Sequence, residues 1–188
     1  MRMSAGAATA FSCALLAACG GGSPNQVSGS YKGQSIDVAD AILMPVRGSN
    51  GTAFSVVVFS SHSDACGFLQ AQAANNSRFV GLALGIAAPG GLIVPPDSAG
   101  SYDVAAGPVQ AGTKLASIQF AVVGSCGPGT TGTAVSGQVH VTSIKMSGAE
   151  VQALAGTFDA TFDTGDKLSG RFEVSQCSGA RIIFGVCP

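Results

Sequence analysis

Charge is scarce in this chain: only 10% of its 188 residues are Asp, Glu, Lys or Arg, against the quarter usual in a soluble domain. Nine Lys and Arg face ten Asp and Glu, a net charge of −1. Without a basic surplus nothing draws the protein to phosphate backbones or to anionic lipid, which argues against a nucleic-acid partner and against a polybasic membrane contact. Trp is absent and His occurs twice, as His62 and His140, far apart in sequence. No two cysteines stand in a C-x-x-C spacing, so the close ligand pairs of a zinc site are missing. There is no G-x-S-x-G turn to carry a nucleophile. Gly124 to Thr131 (GSCGPGTT) has P-loop-like glycines but no Lys to reach a phosphate. No cofactor is implied. No apolar run is long enough to cross a bilayer as a helix.

What is abundant is glycine, 27 residues, with Ser and Thr supplying most of the polarity and hydrophobic residues reaching 46%. Short strands joined by tight turns suit that mixture better than helices rich in Glu and Lys. The length fits one domain after a leader.

Met1-Arg2-Met3 gives the leader its one charge, and residues 5–18 are mostly Ala and Leu, the length of a signal core rather than of a span. The run ends in Leu16-Ala17-Ala18-Cys19, followed by Gly20-Gly21-Gly22-Ser23. Leu16 sits where the general signal peptidase prefers a small residue, so an ordinary secretory cut before Cys19 fits poorly. The four residues resemble the lipobox of bacterial lipoproteins. That resemblance implies that residues 1–18 are removed, that Cys19 takes a diacylglyceryl group on its thiol, and that its freed amine is acylated. Gly20, rather than Asp, after the Cys implies the outer membrane of a Gram-negative cell. The membrane is then a partner through lipid on Cys19. Two or three acyl chains hold stably where one does not, at about 0.8 kcal/mol per buried CH₂. Residues 19–33 read as a flexible tether and residues 34–188 as the folded domain.

Four cysteines remain: Cys66, Cys126, Cys177 and Cys187. An even number in an exported chain reads as two disulfides with three possible connectivities. Ser178-Gly179 forms a turn between the last two, which favours Cys177–Cys187 and leaves Cys66–Cys126.

Strands are expected from Gln34 to Met44, Ala53 to Phe59, Arg78 to Ala87, around Leu92 to Val94, Gly100 to Val104 and Lys114 to Val123. The C-terminal third alternates most cleanly, around Val139 and Val141, through Phe158, Ala160 and Phe162, and through Leu168, Gly170, Phe172 and Val174. Arg181 to Val186 reads as a last strand. One helix is expected near residues 64–75, capped by Ser61 or Ser63 with Asp64 in its first turn. About nine short strands and one helix predict a mainly β fold, an antiparallel sandwich or barrel-like sheet. The Cys at the helix start, the G-S-Y-D-V strand and the closing GTFDATFDTGDKLSGRFEVSQC hairpin resemble β-rich lipoproteins of predatory and soil bacteria, a resemblance that implies no activity.

Asp159, Asp163 and Asp166 are the densest acidic set. They are calcium candidates, since that ion takes six to eight oxygens, and otherwise a wet polar face. His62-Ser63-Asp64 contains the residue types of a triad, but adjacent residues rarely converge on one atom, and a helix cap with a surface His explains them. His140 reads as a solvent-facing strand residue. Tyr31 and Tyr102, the two tyrosines, are candidates to stack on a sugar or peptide. The leading expectation is a non-enzymatic, lipid-anchored binding or structural module of the envelope. The alternatives are a secreted hydrolase acting on glycans with dispersed carboxylates, and a subunit of an envelope assembly.

Overall fold

The computed structural model describes residues 23–48, 50–70, 77–104, 109–123 and 130–179. The mainly β, barrel-like expectation is met by one curled sheet of ten strands. These are β1 (Gln26–Gly29), β2 (Asp40–Arg47), β3 (Ala53–Ser60), β4 (Ser77–Ala87), β5 (Ile93–Val94), β6 (Gly100–Val104), β7 (Lys114–Val123), β8 (Thr131–Ser147), β9 (Glu150–Phe162) and β10 (Lys167–Ser175). The lateral order is β1-β10-β9-β8-β6-β7-β4-β3-β2, with β5 beside β4. Every pairing is antiparallel except β6 with β7, where Asp103 lies level with Leu115, so the sheet is mixed.

The period of two decides which side chains face inward. Along β9, Leu154, Phe158, Ala160 and Phe162 are buried while Thr157 and Asp159 are exposed, and β10 repeats this with Leu168, Phe172 and Val174. Phe59 on β3 lies 5.6 Å from the Phe158 ring and 6.5 Å from the Phe172 ring, which shows how far the sheet has curled. β2 and β3 depart from alternation and are buried at consecutive positions, Ala41 to Met44 and Val56 to Val58. Their second face is covered by α1 (Ala65–Gln70) and by Cys177, which with Ile42, Met44, Val56 and Val58 form a smaller apolar cluster. That second cover explains why their sequences are nearly continuous hydrophobic runs.

The helix begins with Asp64, whose carboxylate accepts the Gly67 N–H at 3.1 Å and whose carbonyl accepts the Phe68 N–H. The cap is therefore Asp64, not Ser61 or Ser63. Ser61 instead accepts the Arg78 N–H, which ties the chain after β3 to β4. Asp40 accepts the Ala65 N–H at 2.8 Å and holds the helix start to β2. The rest of the expected helix, 71–76, and the expected strand at 181–186 lie outside the described residues.

Two expectations are corrected. The tether does not reach residue 33: Gln26–Gly29 pairs with β10, and Tyr31 and Ile36 are buried. The free edge of β10 supplies the hydrogen-bonding partners that turn a polar, glycine-rich segment into a strand. The disulfide pairing also differs, since Cys66 bonds to Cys177 across a sequence separation of 111. Nearness along the chain favoured Cys177–Cys187, but after β10 the chain runs back beneath α1. There Gln176 bridges Leu43 in parallel and the Cys177 N–H donates to the Leu43 carbonyl at 2.8 Å. The two Cα atoms then stand 5.7 Å apart, within disulfide reach. Cys126 and Cys187 lie outside the described residues.

Removing this crosslink frees a loop of more than a hundred residues in the unfolded chain. Cys66→Ser with Cys177→Ser should lower unfolding stability by about 2 to 5 kcal/mol, read from denaturant midpoints. A double variant as stable as the parent would show that the seam holds without the bond.

Candidate functional site

The outward face of the sheet carries the polar side chains. On neighbouring β6 and β8, Ser101 stands opposite His140 and Asp103 opposite Gln138. Ser101 Oγ lies 3.3 Å from His140 Nδ1, and Gln138 Nε2 donates to Asp103 Oδ1 at 2.7 Å. The ladder continues through Thr157 and Asp159 on β9 to Arg171 and Ser169 on β10. All eight side chains are exposed and form a hydrogen-bonding surface, at whose edge Asp159 and Ser169, with Ser28, Thr161 and Lys167, line an open hollow of about 390 Å³. The Ser101–His140 contact unites the residue types of a nucleophile and a base. It lies, however, within a paired ladder, where backbone N–H groups bond to neighbouring strands instead of converging on a reacting oxygen.

The remaining candidates are drawn apart or used structurally. Asp166 accepts the Lys32 N–H at 2.9 Å and the Thr164 hydroxyl at 2.7 Å. These bonds, the backbone one foremost, hold its carboxyl below the usual Asp range. Through Lys32 it fixes the Tyr31 turn. Asp159 sits on the polar face of β9 and Asp163 opens the turn to β10. Among the described residues no three His, Cys, Asp or Glu side chains gather where they could hold a metal ion, and the calcium candidates are not assembled. His62 stacks on Phe68 at 4.5 Å with Nδ1 2.6 Å from the Ser63 carbonyl, while Asp64 caps the helix, so these three do not form a triad.

Neither tyrosine offers a stacking face. Tyr31 packs against Phe120 and Phe162 inside the curl, with its ring over Gly132, where a Cβ would collide with it. Tyr102 is fully buried and donates its hydroxyl to the Ser98 carbonyl at 2.6 Å. Burial, helped by the negative charge of Asp97, pushes its phenol up to about 12 despite the Ser98 bond. An aromatic ring with one polar atom suits either a wet face or a core with a single acceptor, and here the core has one.

Compared with known proteins, the chain matches no protein family, no characterised protein and no solved structure. Its chemistry therefore rests on its own surface.

A second feature, missed in the sequence, is an apolar rim where β4 gives way to β5. Beyond Ala87 a 3₁₀ turn, Pro89–Gly91, holds Gly90 and Gly91 at positive φ, a conformation glycine adopts without strain. A cavity of about 280 Å³ opens there, lined by Ala87, Pro89, Leu92, Ile93, Val109 and Leu115 among others. The signal was present as apolar residues beside Pro-Gly turns, but the sequence alone does not reveal that the loops at 88–92 and 109–113 meet.

Two titrations follow. The folded state keeps Asp166 ionised more readily than the unfolded chain does, so its contribution is present above about pH 3.8 and fades as acid protonates the folded carboxyl. Asp166→Asn should melt below the parent near neutral pH, with the gap closing toward pH 2 in thermal scans. The raised Tyr102 phenol works in the opposite direction: the native state holds its proton longer, so stability falls as pH rises from 10 toward 12. Tyr102→Phe should flatten that alkaline loss while costing about 1 kcal/mol at neutral pH for the Ser98 bond.

Proposed function

We propose that the protein is exported, lipidated at Cys19 and held at the outer membrane as a non-enzymatic binding or structural module of the envelope. Leu16-Ala17-Ala18-Cys19, with its apolar leader and glycine flank, carries this reading. A chain so poor in charge needs another means of remaining at a membrane, and acyl chains supply it through hydrocarbon burial. Among the described residues no helix is long and apolar enough to cross one.

The face that meets a partner is the polar ladder of β6, β8, β9 and β10. Ser101, Asp103, Gln138, His140, Thr157 and Asp159 present donors and acceptors on a rigid pleated surface. Such a surface suits a polar polymer or another protein better than a small molecule, which needs a concave site to bury most of its area. Gly20 after the acceptor Cys supports the outer membrane as the address.

Expression with the native leader in a Gram-negative host, followed by mass analysis of the amino-terminal peptide and labelling with palmitate, tests the anchor. The mature chain should begin at Cys19 with added acyl mass, and Cys19→Ala should abolish labelling. An unmodified amino terminus in the parent protein would overturn the proposal.

A further inference from the structure

Among the described residues four large apolar side chains stand clearly exposed: Leu92 at 40%, Val94 at 41%, Val109 at 42% and Val135 at 50%. Val135 is alone on the polar side of β8, and an isolated apolar residue needs no explanation. Leu92, Val94 and Val109 lie together at the rim, where Leu92 and Val109 share one cavity and Val94 follows in β5.

The strand register places this rim relative to the amino terminus. Gln26 on β1 pairs with Arg171, Arg171 with Thr157, Thr157 with His140, and His140 with Ser101. The parallel step from Asp103 to Leu115 brings Ser101 level with Thr113, whose carbonyl accepts the Ala87 N–H at 2.9 Å. One lateral row thus runs from Gln26 to Ala87. Strand directions alternate along it except at the parallel β6–β7 step, so that residues before Gln26, the loop after Ala87 and the residues before Thr113 all leave the row toward the same end of the sheet. The β8–β9 hairpin leaves there too but tilts across the end, putting Glu150 3.5 Å from Arg47.

The chain leading to that end is short. The Ser23 carbonyl accepts from the Arg171 guanidinium, and the Asn25 side chain accepts the Glu173 N–H, so the amino-terminal segment is tied to β10 as far back as residue 23. Only residues 19–22 then separate the fold from the acylated position, a reach of at most about 14 Å.

We propose that the rim of Leu92, Val94 and Val109 rests on the lipid bilayer that holds the acyl chains of Cys19, so that the sheet stands on the membrane by this end with its polar ladder turned aside. This inference rests on the anchoring reading above. A leash this short keeps the rim at high effective concentration beside the bilayer, so three modest side chains suffice where they would not recruit a free protein. This orientation leaves the opposite end of the sheet, with Tyr31 and Asp166, facing away from the membrane.

The absence of Trp makes the test clean, because a single introduced indole reports alone. Leu92→Trp, Val109→Trp and, as control, Val135→Trp are expressed with the native leader and purified as acylated protein. They are then reconstituted into phosphatidylethanolamine and phosphatidylglycerol vesicles containing brominated acyl chains. Val94→Trp serves as a second reporter if either rim variant fails to show the parent's melting transition. The rim indoles should emit at shorter wavelength and be quenched at least about twofold more than the Val135→Trp indole, as burial at the headgroup boundary requires. Acylated, vesicle-bound protein whose rim indoles are quenched no more than the control would overturn this orientation while leaving the anchor in place. A chain without acyl mass on Cys19 would overturn the anchor and the orientation together.

Discussion

The Cys177 N–H donates to the Leu43 carbonyl, and around that hydrogen bond the chain leaving the last strand meets the outermost strand on the other side. A curled sheet has two edges, each a row of unpaired N–H and C=O groups open to other chains. One edge of β10 is taken by β1, and just past its end Gln176 and Cys177 reach across to β2. The Cys66–Cys177 bond pins the crossing, and Gln70 adds a hydrogen bond to the Ser178 carbonyl. Phe59 can pack on Phe158 and Phe172 only because the two sides of the sheet are drawn together here. The inner core, the second cover over β2 and β3, and the position of α1 all follow from this seam.

With the seam in place, the outer surface has two characters. Across β6, β8, β9 and β10 it is polar, with Asp103, Asp159 and Arg171 set among hydroxyl, amide and imidazole groups in register. Around the ends of β4 and β5 it is apolar. Arg47–Glu150, an exposed pair in a solvent-screened position, is the one ion pair among the described residues and adds little. Stability in this fold comes from burial, ladder hydrogen bonds and the Cys66–Cys177 crosslink.

Much of this architecture is readable in the sequence because alternation reports one buried and one wet face. Phe158, Ala160 and Phe162 against Thr157 and Asp159 identify β9, and the unbroken Val56-Val57-Val58 run marks a strand covered on both sides. Features set by distant partners are not readable. Gln26–Gly29 carries a single large apolar residue and becomes a strand through β10's open edge. The cysteine pairing depends on where the chain returns after β10, and the burial of Tyr102 depends on a carbonyl at Ser98. Three carboxylates close in sequence looked like one site, but the turn at the start of β10 commits Asp166 to Lys32. The row joining Gln26 to Ala87 passes through the parallel β6–β7 pair, and no periodicity encodes the direction in which two strands pair.

The pairing of β1 with β10 also has a consequence for time. Among the described strands the first, β1, has no neighbour until the last, β10, has been made. Sheets dominated by such distant contacts assemble slowly, in milliseconds to seconds, because the entropy of closing each loop is lost before its contacts form. In the exported protein proposed above, that slowness would keep the polypeptide extended while it moves through a translocation pore, and the curl would close once residue 177 has reached the far side.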